Sequence, residues 1–404
     1  MVQPTEIRPQ DVTSVDNEGI WPVRRSRVID WLINETSNER YIDNIIVALC
    51  DKLVEAGVAL DRCSVHFRTH HPQWHGARVL WRLGMTEAKI TTFAYGVENS
   101  PQFVNSPINA VFQGAAEVRT ELEELDEFDD YYAEFKQQGY TEYVAWPMHH
   151  TFGRRHVATF VTKRVGGFRE SDIIALKDVL PALTLVTEIR TKNILARTML
   201  ETYVGPHASE QVLAGAITRG SGSTVSAAIM ICDLRGFTHI SDMWPRDDVI
   251  ELLNAYFDAI SEPIERHGGE ILKFMGDGLL AIFPLDKDQA CLDLLQAIRE
   301  GREAINALND ANRDGARPHL DYGVGVHIGD VMYGNIGSRK RLDFTVIGPA
   351  VNIASRLETL TKQVKRPVLL SRAFVDMAGC EDIDRLGSFL LTGLDEPVEV
   401  FALR

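Results

Sequence analysis

Cysteine is sparse in this chain: Cys50, Cys63, Cys232, Cys291 and Cys380 are scattered over 404 positions, an odd count with no CxxC pair. That leaves no basis for a disulfide framework or a zinc ribbon. Long apolar runs are missing too, since no stretch nears the roughly 18 unbroken apolar residues of a membrane span. The opening MVQPTEIRPQDV lacks the basic-then-apolar layout of a signal peptide, so the expected address is the cytoplasm. Positive charge is in deficit, 42 Lys and Arg against 57 Asp and Glu for a net −15. A general nucleic-acid partner, which needs a basic surface, is therefore not expected. Small phosphorylated ligands stay open, because a few local cations or metal ions suffice. Phosphate-loop motifs are absent: there is no GxxxxGK[ST], and Gly323-Val-Gly325-Val-His-Ile-Gly329 misses GxGxxG by one residue. Its alternation fits a strand, His319 to Asp330.

What is present, 45% apolar and 25% charged residues, is the balance of a globular protein with a real core, and the length suggests two or three domains. Residues 1–25, polar and proline-bearing, read as a flexible arm. Residues 26–185 read as one mixed domain, with a helix over Tyr41 to Ala56 and strands around Ser64 to Arg68, Val79 to Leu83, Tyr143 to Met148 and His156 to Lys163. Glu117 to Asp130 carries eight acids and one base and reads as a solvated face. His66, His70, His71 and His75 near Cys63 raise a metal or tetrapyrrole reading, with ordinary surface histidines preferred. Ser106-Pro-Ile-Asn-Ala-Val111 with Gly114, Gly139-Tyr-Thr-Glu-Tyr143 leading to Trp146-Pro-Met148, and a helix after Phe168-Arg-Glu-Ser-Asp172 resemble the GAF family of sensor domains. The resemblance implies a fold and a small-molecule ligand or signal, without naming it.

Val186, Ile189, Asn193, Ala196, Leu200 and Tyr203 recur at spacings of three and four, a heptad seam of about two and a half repeats. It reads either as a short parallel coiled coil or as one amphipathic helix packed on its own domain. Residues 186–224 thus form a helical linker, ended by Gly205-Pro206 and followed by a boundary loop rich in Gly, Ser and Thr.

From Val225 the character changes. Val225 to Cys232 is a buried-strand run ending at Asp233-Leu234-Arg-Gly-Phe237-Thr238, before a helix over Asp247 to His267. A carboxylate ending a buried strand, with a glycine turn into a helix, can hold a metal while backbone N–H groups, here at Phe237 and Thr238, face a polyphosphate. Glu270 to Met275 and Leu279 to Phe283, separated by Gly276-Asp277-Gly278, read as a hairpin with Asp277 at its tip. In Asp343-Phe-Thr345-Val-Ile-Gly348-Pro-Ala-Val-Asn352-Ile-Ala-Ser-Arg356 a strand runs into a helix, with Asn352 and Arg356 four apart on one face.

Taken together, CDLRGFT, ILKFMGDG and TVIGPAVNIASR resemble, in order and approximate spacing, the class III nucleotidyl cyclases over about residues 225–404. The resemblance implies a ferredoxin-like α+β catalytic domain behind the sensor, working as a head-to-tail homodimer. It implies an adenylate cyclase making 3′,5′-cyclic AMP and pyrophosphate from ATP with two Mg²⁺ or Mn²⁺ ions. Asp233, Asp277 and the Leu234 carbonyl would hold the metals. Lys273 and Thr345 would read adenine, and Asn352 and Arg356 would stabilise the transition state. Thr345, where relatives often carry Asp, resembles a subgroup with bicarbonate responsiveness. Two positions depart from the pattern: Thr392 stands where a triphosphate-binding Lys is common, and Pro349 where Asp or Asn is. Arg339, Lys340 and Arg341 lie on an expected dimer-arm hairpin. The alternatives are a guanylate or pyrimidine nucleotide cyclase, or an inactive nucleotide-binding or dimerisation module.

Overall fold

In the computed structural model, residues 21–69, 71–125, 131–312 and 317–404 are described. Residues 1–20 of the expected arm, His70 and the end of the acidic run lie outside them. The chain divides into two compact units at Met199/Leu200. Among the described residues no helix is long and apolar enough to cross a membrane.

In the amino-terminal unit α1 (Trp21–Asp30) is already helical where the last residues of the arm were expected, with Pro22 in the first turn, where its missing N–H costs nothing. α2 (Ile42–Glu55) follows, then strands β1 (Arg62–Arg68), β2 (Gly76–Arg82) and β3 (Lys89–Phe93). Short helices α3 (Pro101–Val104) and α4 (Pro107–Gln113) precede β4 (Val118–Glu121), α5 (Ala133–Gln137), β5 (Glu142–His149) and β6 (Arg155–Thr162). The strands form one antiparallel sheet in the order β3-β2-β1-β6-β5-β4. Strand alternation splits β1 between two layers. Cys63, Val65 and Phe67 join the core under α2 and the long helix α6 (Glu170–Val204), while Arg62, Ser64 and His66 turn to the other face. His66 is buried and hydrogen-bonded to Ser64, which corrects the surface-histidine expectation for it. Glu117, expected on a solvated face, instead holds Trp146 Nε1 and Lys177.

One helix, α6, covers both the expected closing helix and the seam. Val186 lies in the core of the amino-terminal unit, whereas Ile189 and Tyr203 are 57% and 79% exposed. The outward seam therefore begins at Ile189.

The second unit opens with α7 (Pro206–Leu213) and β7 (Gly222–Leu234). β7 starts three residues before Val225 because Gly222 to Thr224 pair with β10 (Tyr322–Gly337). Next come α8 (Phe237–Met243), α9 (Arg246–Arg266), β8 (Glu270–Met275), β9 (Gly278–Pro284) and α10 (Ala290–Ala311). After β10 follow β11 (Leu342–Ile347), α11 (Pro349–Val364), β12 (Val368–Ser371), α12 (Arg372–Ala378), β13 (Ile383–Phe389) and β14 (Val398–Leu403). The run β7-α8/α9-β8-β9-α10-β10 is a βαββαβ unit with spatial order β10-β7-β9-β8, the ferredoxin-like arrangement; β12, β14 and β13 extend the sheet beyond β10.

β10 outruns the expected His319–Asp330 strand because its second half pairs with β11 as a projecting hairpin. Its glycines seat α11. A methyl at Gly325 would overlap the Ala354 carbonyl and the Glu358 amide, and one at Gly329 would lie 2.7 Å from Ala350 Cβ. Close helix approach, not phosphate binding, explains that motif.

Candidate active site

From Ala227 onward β7 is buried on both faces, and its alternation positions the first acid. Ala228, Met230, Cys232 and Leu234 pack toward α9 and α10, and Ala227, Ile229 and Ile231 toward the start of α11. Asp233 therefore falls on the α11 side. The Leu234 side chain is core, so only its backbone is available to a ligand.

Asp233 is paired in register with Gly278, the first residue of β9, which closes the hairpin opposite Met275. Asp277 sits in the bend, next in sequence to the cross-strand partner of Asp233. Gly276 supplies the positive φ, 69°, that the bend needs. A side chain at Gly278 would come within 3.0 Å of Asp233 Oδ1, so glycine lets the bend close on the strand. Burial, and then the charge of Asp233, push the Asp277 carboxyl above its usual range.

The cation against this pair was not foreseen. Lys362 on α11 places Nζ 3.2 Å from Asp233 Oδ2 and 3.8 Å from Glu358 Oε1. Burial opposes its charge, but the hydrogen bond to Asp233 and the charges of Glu358 and Asp277 outweigh it and hold the ammonium above its ordinary range. Arg235 is also committed to the end of α11 and the turn after it, donating to the Thr361 and Arg366 carbonyls at 3.3 and 3.1 Å.

A second cluster lies where β8 meets β11. Lys273 Nζ is 2.7 Å from Asp343 Oδ2, and this contact holds the Asp343 carboxyl below its usual range. Thr345 is two residues along β11 from Asp343, hence on the same side of the strand. Asp343 had no role in the sequence reading; its partner is 70 residues away in the chain, beyond any local pattern.

Asn352 and Arg356 are exposed on α11, one turn apart. At about 100° per residue Arg356 lies on the side of α11 away from Glu358 and Lys362, and Asn352 lies about a third of a turn from Glu358. Among the described residues no hydrogen bond or ion pair joins them to Asp233 or Asp277. Phe237 packs against the main core, leaving its backbone as the group a phosphate could meet. Thr238 is exposed on α8, and its carbonyl accepts from Ser241 Oγ at 2.8 Å. Thr392 is exposed beyond the buried Leu391, and Arg339, Lys340 and Arg341 occupy the turn between β10 and β11. Among the described residues no three His, Cys, Asp or Glu side chains form a metal cluster. The protein offers two carboxylates, not a cage.

The sequence model of the adenylate and guanylate cyclase catalytic domain matches residues 221–396. The chain is 34% identical over 186 residues to an adenylate cyclase of Anabaena cylindrica, covering 45% of this chain and 35% of that protein. To adenylate cyclase 1 of Rhizobium meliloti it is 31% identical over 177 residues, 43% of this chain and 26% of that one. It thus spans about a third or less of these relatives. Among solved structures, the guanylyl cyclase Cya2 is 29% identical with a TM-score of 0.41, covering 45% of this chain and 92% of that chain. A bacterial light-regulated adenylyl cyclase is 26% identical with a TM-score of 0.46, covering 56% and 65%. The carboxy-terminal unit therefore carries a catalytic domain of the class III adenylate and guanylate cyclases.

Proposed function

We propose that the chain converts ATP into 3′,5′-cyclic AMP and pyrophosphate at sites shared between two copies, controlled by its amino-terminal unit as a GAF-like sensor. The observation that carries this reading is the meeting of Asp233 and Asp277 across the β7–β9 ladder.

Two adjacent carboxylates carry a repulsion that a divalent cation relieves, and their oxygens suit Mg²⁺ or Mn²⁺. Asp233, Asp277 and the Leu234 carbonyl would hold two such ions, with phosphate oxygens and water completing the coordination. When bound, the ions neutralise the triphosphate and acidify the ribose 3′-hydroxyl. The chain's own residues then select and orient. Asp343 holds one hydrogen of the Lys273 ammonium, leaving others to donate to adenine N1, while the Thr345 hydroxyl accepts from the N6 amino group. Guanine would set its N1–H against a cation that cannot accept, and such a buried mismatch discriminates strongly. The 3′-oxygen attacks the α-phosphorus as the bond to pyrophosphate breaks, and Arg356 and Asn352 donate to the charge that builds there.

The outward direction of Asn352 and Arg356 supports the shared site. One copy supplies the acids, and its partner supplies Lys273, Thr345, Asn352 and Arg356. The exposed seam of α6 from Ile189 supports the pairing.

Purified chain with Mn²⁺ and each of the four nucleoside triphosphates tests the reading. Cyclic AMP from ATP is expected. Only a cyclic guanosine or pyrimidine product would overturn the roles of Lys273 and Thr345, and no cyclic product at all would favour the binding-module reading.

A further inference from the structure

On the face of the amino-terminal sheet opposite α2 and α6, β1 and β2 form the floor of a cavity of about 320 Å³. That volume is at the small end of ligand sites. The floor is cationic, and among the described residues no carboxylate pairs with it. Arg62 is only 8% exposed, and its Nε has no hydrogen-bond partner. Arg78 Nε is likewise buried without a partner, and its Nη2 makes one long contact, 3.4 Å, to Thr91 Oγ1. Among the described residues neither guanidinium forms an ion pair. The lining carboxylate Glu134 is instead 3.7 Å from Arg82, its side chain 71% exposed. His66, the cross-strand partner of Arg78, adds no charge of its own: burial, then the charges of Arg78 and Arg62, lower its pKa to about 3 and keep it neutral, and its Nε2 rests 2.9 Å from Ser64 Oγ.

Taking a guanidinium out of water without a counter-charge is strongly unfavourable. What offsets it here is partial: the Arg62 guanidinium lies 4.4 Å from the centroid of the Phe135 ring. On the roof, Phe112 closes the cavity with a second ring, over which Arg68 stacks at 4.2 Å. A buried Arg62 and a half-buried Arg78, with no ion pair among the described residues and set beside aromatic rings, are the complement of a flat, negatively charged molecule.

We propose that this cavity binds a small organic anion, a carboxylate or phosphate head on a planar apolar body, with Arg62 and Arg78 as its counter-charges and Phe112 and Phe135 against the body. This names the ligand class for the sensor role proposed above and takes its biological meaning from that role. Binding itself is read without cyclase activity, so the two can fail separately.

Thermal unfolding of the full chain, followed by tryptophan fluorescence, is measured with benzoate, phenyl phosphate and the neutral isostere benzamide. At about ten times its Kd, at least one anion should raise the transition by about 2–4 °C while benzamide leaves it unchanged. Which anion acts tells a carboxylate ligand from a phosphate one. Arg62→Met should weaken anion affinity at least about ten-fold. It should also raise the melting temperature of the ligand-free chain, because an unmatched buried charge is gone. Arg78→Met should weaken binding in the same direction. The proposal is overturned if neither anion stabilises the chain, if benzamide does so equally, if Arg62→Met leaves affinity unchanged, or if it lowers the ligand-free melting temperature.

Discussion

Asp277 is held against its own chemistry. Burial and Asp233 raise its pKa in the folded chain, so the folded state keeps this proton to a higher pH than the unfolded one. Its ionisation therefore costs stability progressively as pH rises from the ordinary aspartate range through the raised value, and the full cost stands above that window. Asp277→Asn should abolish cyclase activity, yet raise the melting temperature of the metal-free chain by about 1–3 °C at neutral pH, with no gain below pH about 4. Calorimetry in a chelator, repeated at both pH values, checks this; a fall in melting temperature at pH 7 contradicts it. Lys362 acts in the opposite sense, as a resident cation where a metal must come. Lys362→Met should tighten nucleotide-free Mn²⁺ binding by about ten-fold, the order expected for removing one positive charge about 5 Å from a divalent ion in a half-exposed site. Unchanged or weaker binding, read by paramagnetic resonance of free Mn²⁺, would contradict that.

The two acids were legible because each ends a local pattern, a buried strand for Asp233 and a glycine-flanked bend for Asp277. Lys362 and Asp343 were not. Their partners lie 129 and 70 residues away, and nothing in a helical lysine or a strand-end aspartate announces such a contact. Arg62 and Arg78 were hidden for a related reason. Each alternates with apolar neighbours that go to the opposite layer, and sequence alone does not say that the lining Glu134 turns to Arg82 instead.

Among the elements, helix α9 and the β8–β9 hairpin follow periodicity and turn chemistry closely, since each is set by residues near in sequence. β10 and the glycines along it depend on neighbours instead. Where α11 presses on β10, Gly325→Ala would force a methyl into the Ala354 carbonyl and Glu358 amide. That substitution should destabilise the carboxy-terminal unit by about 2–4 kcal/mol, read by denaturant unfolding; a loss under about 0.5 kcal/mol would mean the helix can retreat. α6 is the other such case, because its seam is interrupted where Val186 serves the core of its own unit. Ile189→Glu with Leu200→Glu should cut pairing and activity together while leaving the melting of the amino-terminal unit nearly unchanged. Full activity in a monomer would remove the need for the seam.

The two units share one acid weakness. Burial depresses His66 and His156 to about 3 in the first unit and His327 to about 4 in the second. Unfolded histidines bind protons from pH about 6.5 downward, whereas these wait until far lower pH. Stability is therefore full above about 6.5 and declines as pH falls toward 4. Melting temperatures should hold from pH 7.5 to about 6.5 and fall from there to 4.5, and a flat profile would contradict the burial of neutral imidazoles.

The assembly carries the central claim, that acids from one copy work with Asn352 and Arg356 of another. Asp277→Asn and Arg356→Ala chains, each inactive alone, are mixed under conditions that exchange subunits. Random pairing makes half the dimers mixed, each with one intact site, so activity should return to about a quarter of the wild-type value. A mixture that stays inactive although mixed dimers are demonstrated would contradict the shared site.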